Sequence, residues 1–239
     1  MKTKQANLIY ILPNIFTAAS IFSGVFSIIS AVNGEYDKAS WLIMLSLILD
    51  GIDGRVARLT NTCSKFGVEF DSLADMVAFG VAPALLMYLF VGHEFGRFGV
   101  VASALFVIFG AIRLARFNVM TVSSEPSVFI GVPIPTAAVF VSLLVLLFHK
   151  YDLNVDYGIV IMLLSILVSI LMVSNIRYPS FKKIDLSPKH AMKSFVFILS
   201  ALLLVFMYPI EGFTLLAVIY ILYGIARTVI LMPKTLVKK

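Results

Sequence analysis

Long apolar segments separated by short polar stretches dominate the pattern of this chain. A helix that crosses a bilayer needs about 20 mainly apolar residues, and eight segments approach that length. The predicted spans cover residues 14–32, 39–58, 66–91, 98–117, 132–149, 157–175, 192–208 and 213–232. The sequence therefore predicts an all-α protein, a polytopic transmembrane helical bundle of about eight spans.

A shorter apolar run, Leu8 to Leu12, follows two lysines ahead of the first predicted span. Such a run favours an N-terminal interfacial helix that lies on the membrane surface. Pro13 comes directly after it and is typical of a helix start or of the turn before one. We therefore expect a break between this segment and the first span.

The basic residues are distributed unevenly between the predicted loops. With an even number of spans both termini lie on one side, and that side holds all but three of the 19 Lys and Arg residues. The exceptions are Lys38, Arg97 and Lys150. Because Lys and Arg accumulate in cytoplasmic loops, we expect both termini and the Asp-rich stretch described below to face the cytoplasm, in a multi-pass protein of the cytoplasmic membrane.

Composition supports a membrane protein and narrows the partners. The chain is 60% hydrophobic and 13% charged, whereas soluble domains have about 45–50% apolar and about 25% charged residues. The net charge of +6 is explained by residues that flank spans and face anionic membrane lipids, so nucleic acid is not an expected partner. Cys63 is the single cysteine, which excludes an intramolecular disulfide. We expect one membrane-embedded domain over residues 1–239.

Four carboxylates stand where the second predicted span ends and the third begins. Asp50 and Asp53 are three residues apart, and a helix places them on one face. Asp71 and Asp75 are four residues apart and share a face in the same way. Two antiparallel helices joined by the polar turn at 59–64 therefore bring all four together.

Such a cluster is suited to a cation. Four like charges at close range repel one another, and one or two divalent cations remove that repulsion. The ligands are all hard oxygens, which favours Mg²⁺, Mn²⁺ or Ca²⁺ over zinc. Gly51, Gly54 and Gly67 allow a ligand to approach the backbone closely, and Arg58 can pair with a phosphate through two hydrogen bonds. These features indicate a site for a phosphorylated substrate.

Two other interpretations fit the same residues. Asp–Arg pairs inside a bundle can be structural, and glycines can simply let helices approach closely. Intramembrane carboxylates also mark the ion pathways of transporters, which would spread acids across the bilayer. Here the acids within spans lie near one end.

The stretch from Asp50 to Asp75 resembles the signature of the CDP-alcohol phosphotransferases. Eight positions at fixed spacing carry the resemblance, namely Asp50, Asp53, Gly54, Ala57, Arg58, Gly67, Asp71 and Asp75. The resemblance implies a transferase of phospholipid biosynthesis that moves a phosphoalcohol group from a CDP-linked donor to an alcohol and releases CMP. It also implies a homodimer and a catalytic core at about 10–185, followed by two further spans at 192–232.

The resemblance assigns roles to these residues. One divalent cation would be held by Asp50, Asp53 and Asp71, and a second by Asp50, Asp71 and Asp75. Asp75 would also act as the general base on the acceptor hydroxyl. Gly54 and Ala57 would contact the cytidine, Arg58 would lie near the phosphates, and Gly67 belongs to the same nucleotide site.

Further motifs are similar to the integral-membrane phosphatidylserine synthases, a branch of that family. They are PNIFT from Pro13, the stretch Ser64 to Ala84, RLARFN from Arg113, FIGVPIP from Phe129 and RYPSFK from Arg177. The resemblance implies CDP-diacylglycerol as donor and L-serine as acceptor. Inositol phosphate or glycerol phosphate as acceptor, and an archaeal ether-lipid donor, stay open as alternatives.

Serine carries a carboxylate, so its pocket is expected to contain a cation. The candidates at the cytoplasmic ends of spans and in the adjoining loop are Arg113, Arg116, Arg177 and Lys182. Each of them also fits a simpler role as a membrane anchor. Asn14 and Thr17 are candidates for nucleotide binding, with helix capping as the alternative.

Overall fold

A computed structural model describes residues 2–60, 62, 64–120, 128–153, 157–179 and 199–236, and nearly all of this backbone is helical. In chain order the helices are α1 (Lys2–Val32), α2 (Tyr36–Leu59), α3 (Lys65–Asp75), α4 (Ala82–Phe90), α5 (Arg97–Met120), α6 (Ile134–Lys150), α7 (Gly158–Val173), α8 (199–207) and α9 (Pro209–Leu236). A π-helical turn, Met76–Val81, joins α3 to α4, and a 3₁₀ turn, Gly92–Phe95, precedes α5. The predicted helical membrane bundle is confirmed.

Within the described part of the chain, four helical segments are long and apolar enough to cross a membrane: Leu12–Val32, Lys65–Phe90, Arg97–Val119 and Pro209–Thr228. Two shorter apolar helices, α6 and α7, have 17 and 16 residues. The charges at the end of α2 interrupt its apolar pattern, although the helix has 24 residues. The predicted span at 192–208 lies partly outside the described residues, which show helix from 199 onward.

The expected break at Pro13 is wrong. The first helix begins at Lys2 and continues through Pro13 to Val32, so the run from Leu8 to Leu12 is the start of α1 and not a separate helix. A proline inside a helix removes one hydrogen bond, but the flanking residues keep theirs. In a chain this apolar, a continuous helix leaves fewer backbone groups without partners than a turn would.

A line of buried hydroxyl groups joins α1 to α2. Ser27 donates to the carbonyl oxygen of Ala39 at 2.7 Å, and Ser23 donates to that of Leu42 at 2.8 Å. Small side chains let helices approach closely, and hydroxyl groups hydrogen-bond between them. This pair of helices carries the amino-terminal half of the candidate site.

Helix α6 lies at the centre of the bundle, where it packs against α2, α4, α7 and α9. Its buried side chains include Ala137, Ala138, Val141 and Val145, each fully inaccessible to solvent. At the end of the bundle opposite the carboxylates, His149 on α6 lies 2.9 Å from Asp37 on α2.

A two-stranded antiparallel sheet is the feature that the sequence analysis missed. Strand β1 (Val128–Ile130) pairs with β2 (Arg177–Pro179), with Phe129 opposite Tyr178. The strands are three residues long and 47 residues apart, so neither has a hydrophobic period of its own. Their pairing brings the FIGVPIP and RYPSFK motifs together.

Candidate active site

The hairpin of α2 and α3 brings the four carboxylates together. Oxygen atoms of Asp50, Asp53 and Asp71 lie within 4.8 Å of one another. The carboxylate of Asp50 also lies against that of Asp75. Since Asp75 is the last residue of α3, the cluster is directly followed by the π-helical turn, a structure that is frequent at functional sites.

Local hydrogen bonds set the direction in which α3 leaves the turn. Ser64 is its N-cap, and the side-chain oxygen accepts from the backbone N–H of Gly67 at 3.0 Å. On the other side of the turn, the N–H of Thr62 donates to the carbonyl of Ala57 at 3.0 Å. A capping side chain satisfies one of the free N–H groups at a helix start, and here it fixes the angle at which Asp71 and Asp75 meet α2.

The cluster fits a divalent cation. Asp71 Oδ1 and Asp75 Oδ1 are buried and have no hydrogen-bond partner among the described residues. Within the same residues, no Lys or Arg nitrogen lies within 4 Å of any of the four carboxylates. Buried carboxylates are stable only when paired or bound to a metal. Oxygen ligands of this kind are those that Mg²⁺, Mn²⁺ and Ca²⁺ prefer.

An open pocket lies beside the carboxylates, between α1 and the α2–α3 hairpin. Asp53 and Asp71 form the wall that it shares with the cluster. The six residues predicted for the nucleotide and its phosphates all line it, namely Asn14, Thr17, Gly54, Ala57, Arg58 and Gly67.

The capping alternative for Asn14 and Thr17 is wrong, because both lie well inside α1. Thr17 instead donates a hydrogen bond of 2.6 Å to Asp53 Oδ2. Asn14 faces the start of α3, where its side-chain oxygen would be 3.7 Å from a Cβ atom on Gly67. No sequence pattern links Thr17 to Asp53, because the two residues are 36 positions apart.

The two arginines at the end of α5 have different surroundings. Arg113 is 7% exposed, and its guanidinium lies 5.3 Å from the centre of the Phe117 ring. Asp75 lies close enough for its charge to act on Arg113, although the two groups form no ion pair within 4 Å. A cation therefore stands near the proposed general base and leaves space between them.

Arg116 is occupied by backbone groups. Its guanidinium donates to four carbonyl oxygens at 2.9–3.3 Å, those of Ile130, Met172, Val173 and Ser174. Gly131 lies directly beneath this contact, with φ of +77°, and a Cβ atom there would overlap the Met172 carbonyl oxygen. The Arg116 side chain thus ties β1 to the end of α7.

The other two candidates for the serine pocket are less defined. Arg177 is the first residue of β2, and its side chain lies outside the described residues, as does all of Lys182. Two tyrosines that the sequence analysis did not select lie close to this region. Tyr178 is fully buried with its ring 5.5 Å from that of Tyr220 on α9, and Tyr220 lies near Arg113.

The chain is similar to known proteins of one family. Residues 10–172 match the family model described as CDP-alcohol phosphatidyltransferase. The chain is 54% identical over 234 residues to a CDP-diacylglycerol–serine O-phosphatidyltransferase of Helicobacter pylori, an alignment that covers 98% of this chain and 97% of that protein. An enzyme of the same name from Methanocaldococcus jannaschii is 38% identical over 78% of this chain and 82% of its own.

A relative with a different name is similar to a comparable share of the chain. The archaetidylserine synthase of Methanothermobacter thermautotrophicus is 35% identical over 75% of this chain and 74% of its own length. The family model covers more than half of the chain, and its range contains all eight signature positions. This chain belongs to the CDP-alcohol phosphatidyltransferase family.

Proposed function

We propose that this protein transfers the phosphatidyl group of CDP-diacylglycerol to the hydroxyl of L-serine, giving phosphatidylserine and CMP. The observation that carries the proposal is the convergence of four carboxylates beside a pocket lined by all six predicted nucleotide residues. Identity of 54% over 98% of the chain to enzymes named for this reaction supports the choice of donor and acceptor. An ion pathway would spread its carboxylates across the bilayer, whereas these four lie together in one cluster.

The cytidine of the donor would bind in the pocket, and its phosphates would bind beside the carboxylates. The cytidine would lie against Gly54 and Ala57, which present little side chain, and Arg58 would reach the phosphates. The family resemblance implies divalent metals. Mg²⁺ or Mn²⁺, with Ca²⁺ as an alternative, would neutralise the pyrophosphate when held by Asp50, Asp53, Asp71 and Asp75. The lipid tails would extend into the bilayer beside the bundle.

The chemical step is a displacement at phosphorus. The serine hydroxyl oxygen forms a bond to the lipid-attached phosphorus, while the bond from that phosphorus to the CMP oxygen breaks. The hydroxyl proton passes to the carboxylate of Asp75, whose Oδ1 is buried and has no partner among the described residues. CMP leaves with the bonding electron pair.

We also propose where the protein lies in the cell and how it assembles. Both termini and the active site would face the cytoplasm in the cytoplasmic membrane, as the distribution of Lys and Arg indicates. The enzyme would be a homodimer, as the family resemblance implies. A single membrane-embedded domain would hold the catalytic core at about 10–185, with the last two spans packed beside it.

The reaction is tested with the purified full-length protein in detergent micelles that contain CDP-diacylglycerol. CMP release is expected with L-serine and with Mg²⁺ or Mn²⁺ present, and is expected to stop when EDTA is added. Glycerol phosphate and inositol phosphate serve as competing acceptors, and a CDP-linked ether lipid tests the donor suggested by the archaetidylserine synthase relative. Serine-independent release, or faster release with another acceptor, would overturn the serine assignment.

The acceptor carboxylate is expected to bind Arg113. Replacement of Arg113 by alanine should raise the serine KM by about 10- to 100-fold, because a hydrogen bond to a charged group contributes about 1.5–3 kcal/mol. The KM for CDP-diacylglycerol should stay unchanged. Ethanolamine, which has no carboxylate, should react equally slowly with both proteins. Arg113→Lys retains the charge and is measured in case the alanine variant does not fold. An unchanged serine KM in both variants would remove Arg113 from the pocket.

A further inference from the structure

One face of α1 carries five buried hydroxyl residues at spacings of three and four. They are Thr17, Ser20, Ser23, Ser27 and Ser30, each no more than 4% exposed. Residues at these spacings lie one above another on a helix. The face is turned toward α2 over most of its length, as the hydrogen bonds below show.

Three of the serines fix the register between α1 and α2. Ser27 and Ser23 donate to carbonyl oxygens early in α2, and Ser20 donates to that of Ser46 at 3.3 Å. The Ser46 hydroxyl in turn lies 3.2 Å from the carbonyl oxygen of Ser20 and 3.1 Å from that of Leu42. Residues earlier in α1 therefore bond to residues later in α2, as in an antiparallel helix pair. A shift of one helix along the other would break all of these bonds.

Thr17 is the member of this face nearest the N-terminus, and its hydroxyl contacts a carboxylate of α2. Its hydroxyl lies 2.6 Å from Asp53 Oδ2 and 3.2 Å from the carbonyl oxygen of Pro13. A hydroxyl has a single proton to donate, and the shorter distance and the anionic acceptor both favour Asp53. Both side chains are buried, Thr17 at 4% and Asp53 at 5% exposure.

We propose that Thr17 is a positioning residue that holds the Asp53 carboxylate in the orientation needed to bind the divalent cation. This inference rests on the proposed function, in which Asp53 is a metal ligand. With Oδ2 held by Thr17, rotation of the carboxylate is restricted before the cation arrives. The serine contacts fix the position of Thr17 on α1 relative to Asp53 on α2. Thr17 also lines the nucleotide pocket, so a direct role in nucleotide binding is the competing assignment.

The test measures Mn²⁺ binding to the purified full-length protein without substrate, by electron paramagnetic resonance. Thr17→Val keeps the shape of the side chain and removes the hydroxyl, and it should weaken Mn²⁺ binding by about tenfold, since loss of a group that orients a ligand typically costs 10- to 100-fold in affinity. Thr17→Ser retains the hydroxyl and should restore binding. If Thr17→Val does not fold, Thr17→Ala gives the same comparison.

Ser40→Ala is the matched control, because Ser40 is a buried hydroxyl on α2 that bonds to the carbonyl of Tyr36 within its own helix. Its Mn²⁺ affinity should equal that of the wild type. If the wild type and Asp53→Asn bind Mn²⁺ equally, the proposed metal site fails. If Asp53→Asn loses Mn²⁺ but Thr17→Val binds it as the wild type does, the positioning role is overturned, and a raised KM for CDP-diacylglycerol in that variant would assign Thr17 to the nucleotide.

Discussion

Asparagine in place of Asp75 is expected to lower kcat for serine-dependent CMP release by about 10²- to 10⁴-fold, the usual contribution of a general base. Asparagine has nearly the same shape but cannot accept the hydroxyl proton. The Asp75 carboxylate is well placed for that proton, because its Oδ1 is buried without a partner in the described part of the chain. The measurement is CMP release at saturating serine and Mn²⁺.

Glu69→Gln is the matched control for this experiment. Glu69 lies on the same helix as Asp75 and is exposed, so its neutralisation changes the charge of α3 without touching the cluster. The control should retain wild-type kcat, and both variants should have the wild-type melting temperature in detergent. Activity of Asp75→Asn within a few fold of the wild type would exclude Asp75 as the base.

Lysine in place of Arg116 is expected to lower the free energy of unfolding by on the order of 3 kcal/mol. The guanidinium reaches four carbonyl oxygens from two separate segments, whereas an ammonium group is a compact point charge that cannot present the same planar set of donors. Several of these carbonyls would then be left without a strong donor. The change is measured as a drop in the thermal unfolding midpoint of the purified protein.

Arg97→Lys provides the comparison, because Arg97 is exposed at the other end of the same helix. It should unfold at the wild-type temperature. The result also separates the two roles considered for Arg116. Wild-type stability combined with a raised serine KM would return Arg116 to the acceptor pocket, and a loss of stability with little change in the serine KM would establish it as a scaffold residue.

The membrane-bundle fold was predictable from the sequence because the bilayer leaves few choices. An apolar segment of about 20 residues satisfies its backbone only as a helix, so hydropathy alone located most of the helices. It did not locate the start of α1, since a proline is typical of helix starts but is also tolerated inside a membrane helix. The strands β1 and β2 were invisible for another reason: neither has a pattern until the other is beside it.

The carboxylate cluster was equally predictable from the sequence, because its geometry is local. Spacings of three and four fix the face of each helix, and the short turn after α2 brings the two faces together. The six nucleotide residues follow from the same hairpin and from the adjoining part of α1. Their proposed roles came from the family resemblance, which the spacing of eight residues carries.

Only the tertiary structure decided which role each of several similar residues has. Arg113 and Arg116 are three positions apart on one helix, yet the carbonyls that hold Arg116 come from residues 14 to 58 positions away. Thr17 and Asp53 are likewise joined only by the packing of α1 on α2. The sequence by itself determined the membrane bundle and the cluster of carboxylates, since both depend on local spacing. Partners that are distant in the chain are set by how the helices pack, and no local pattern encodes them.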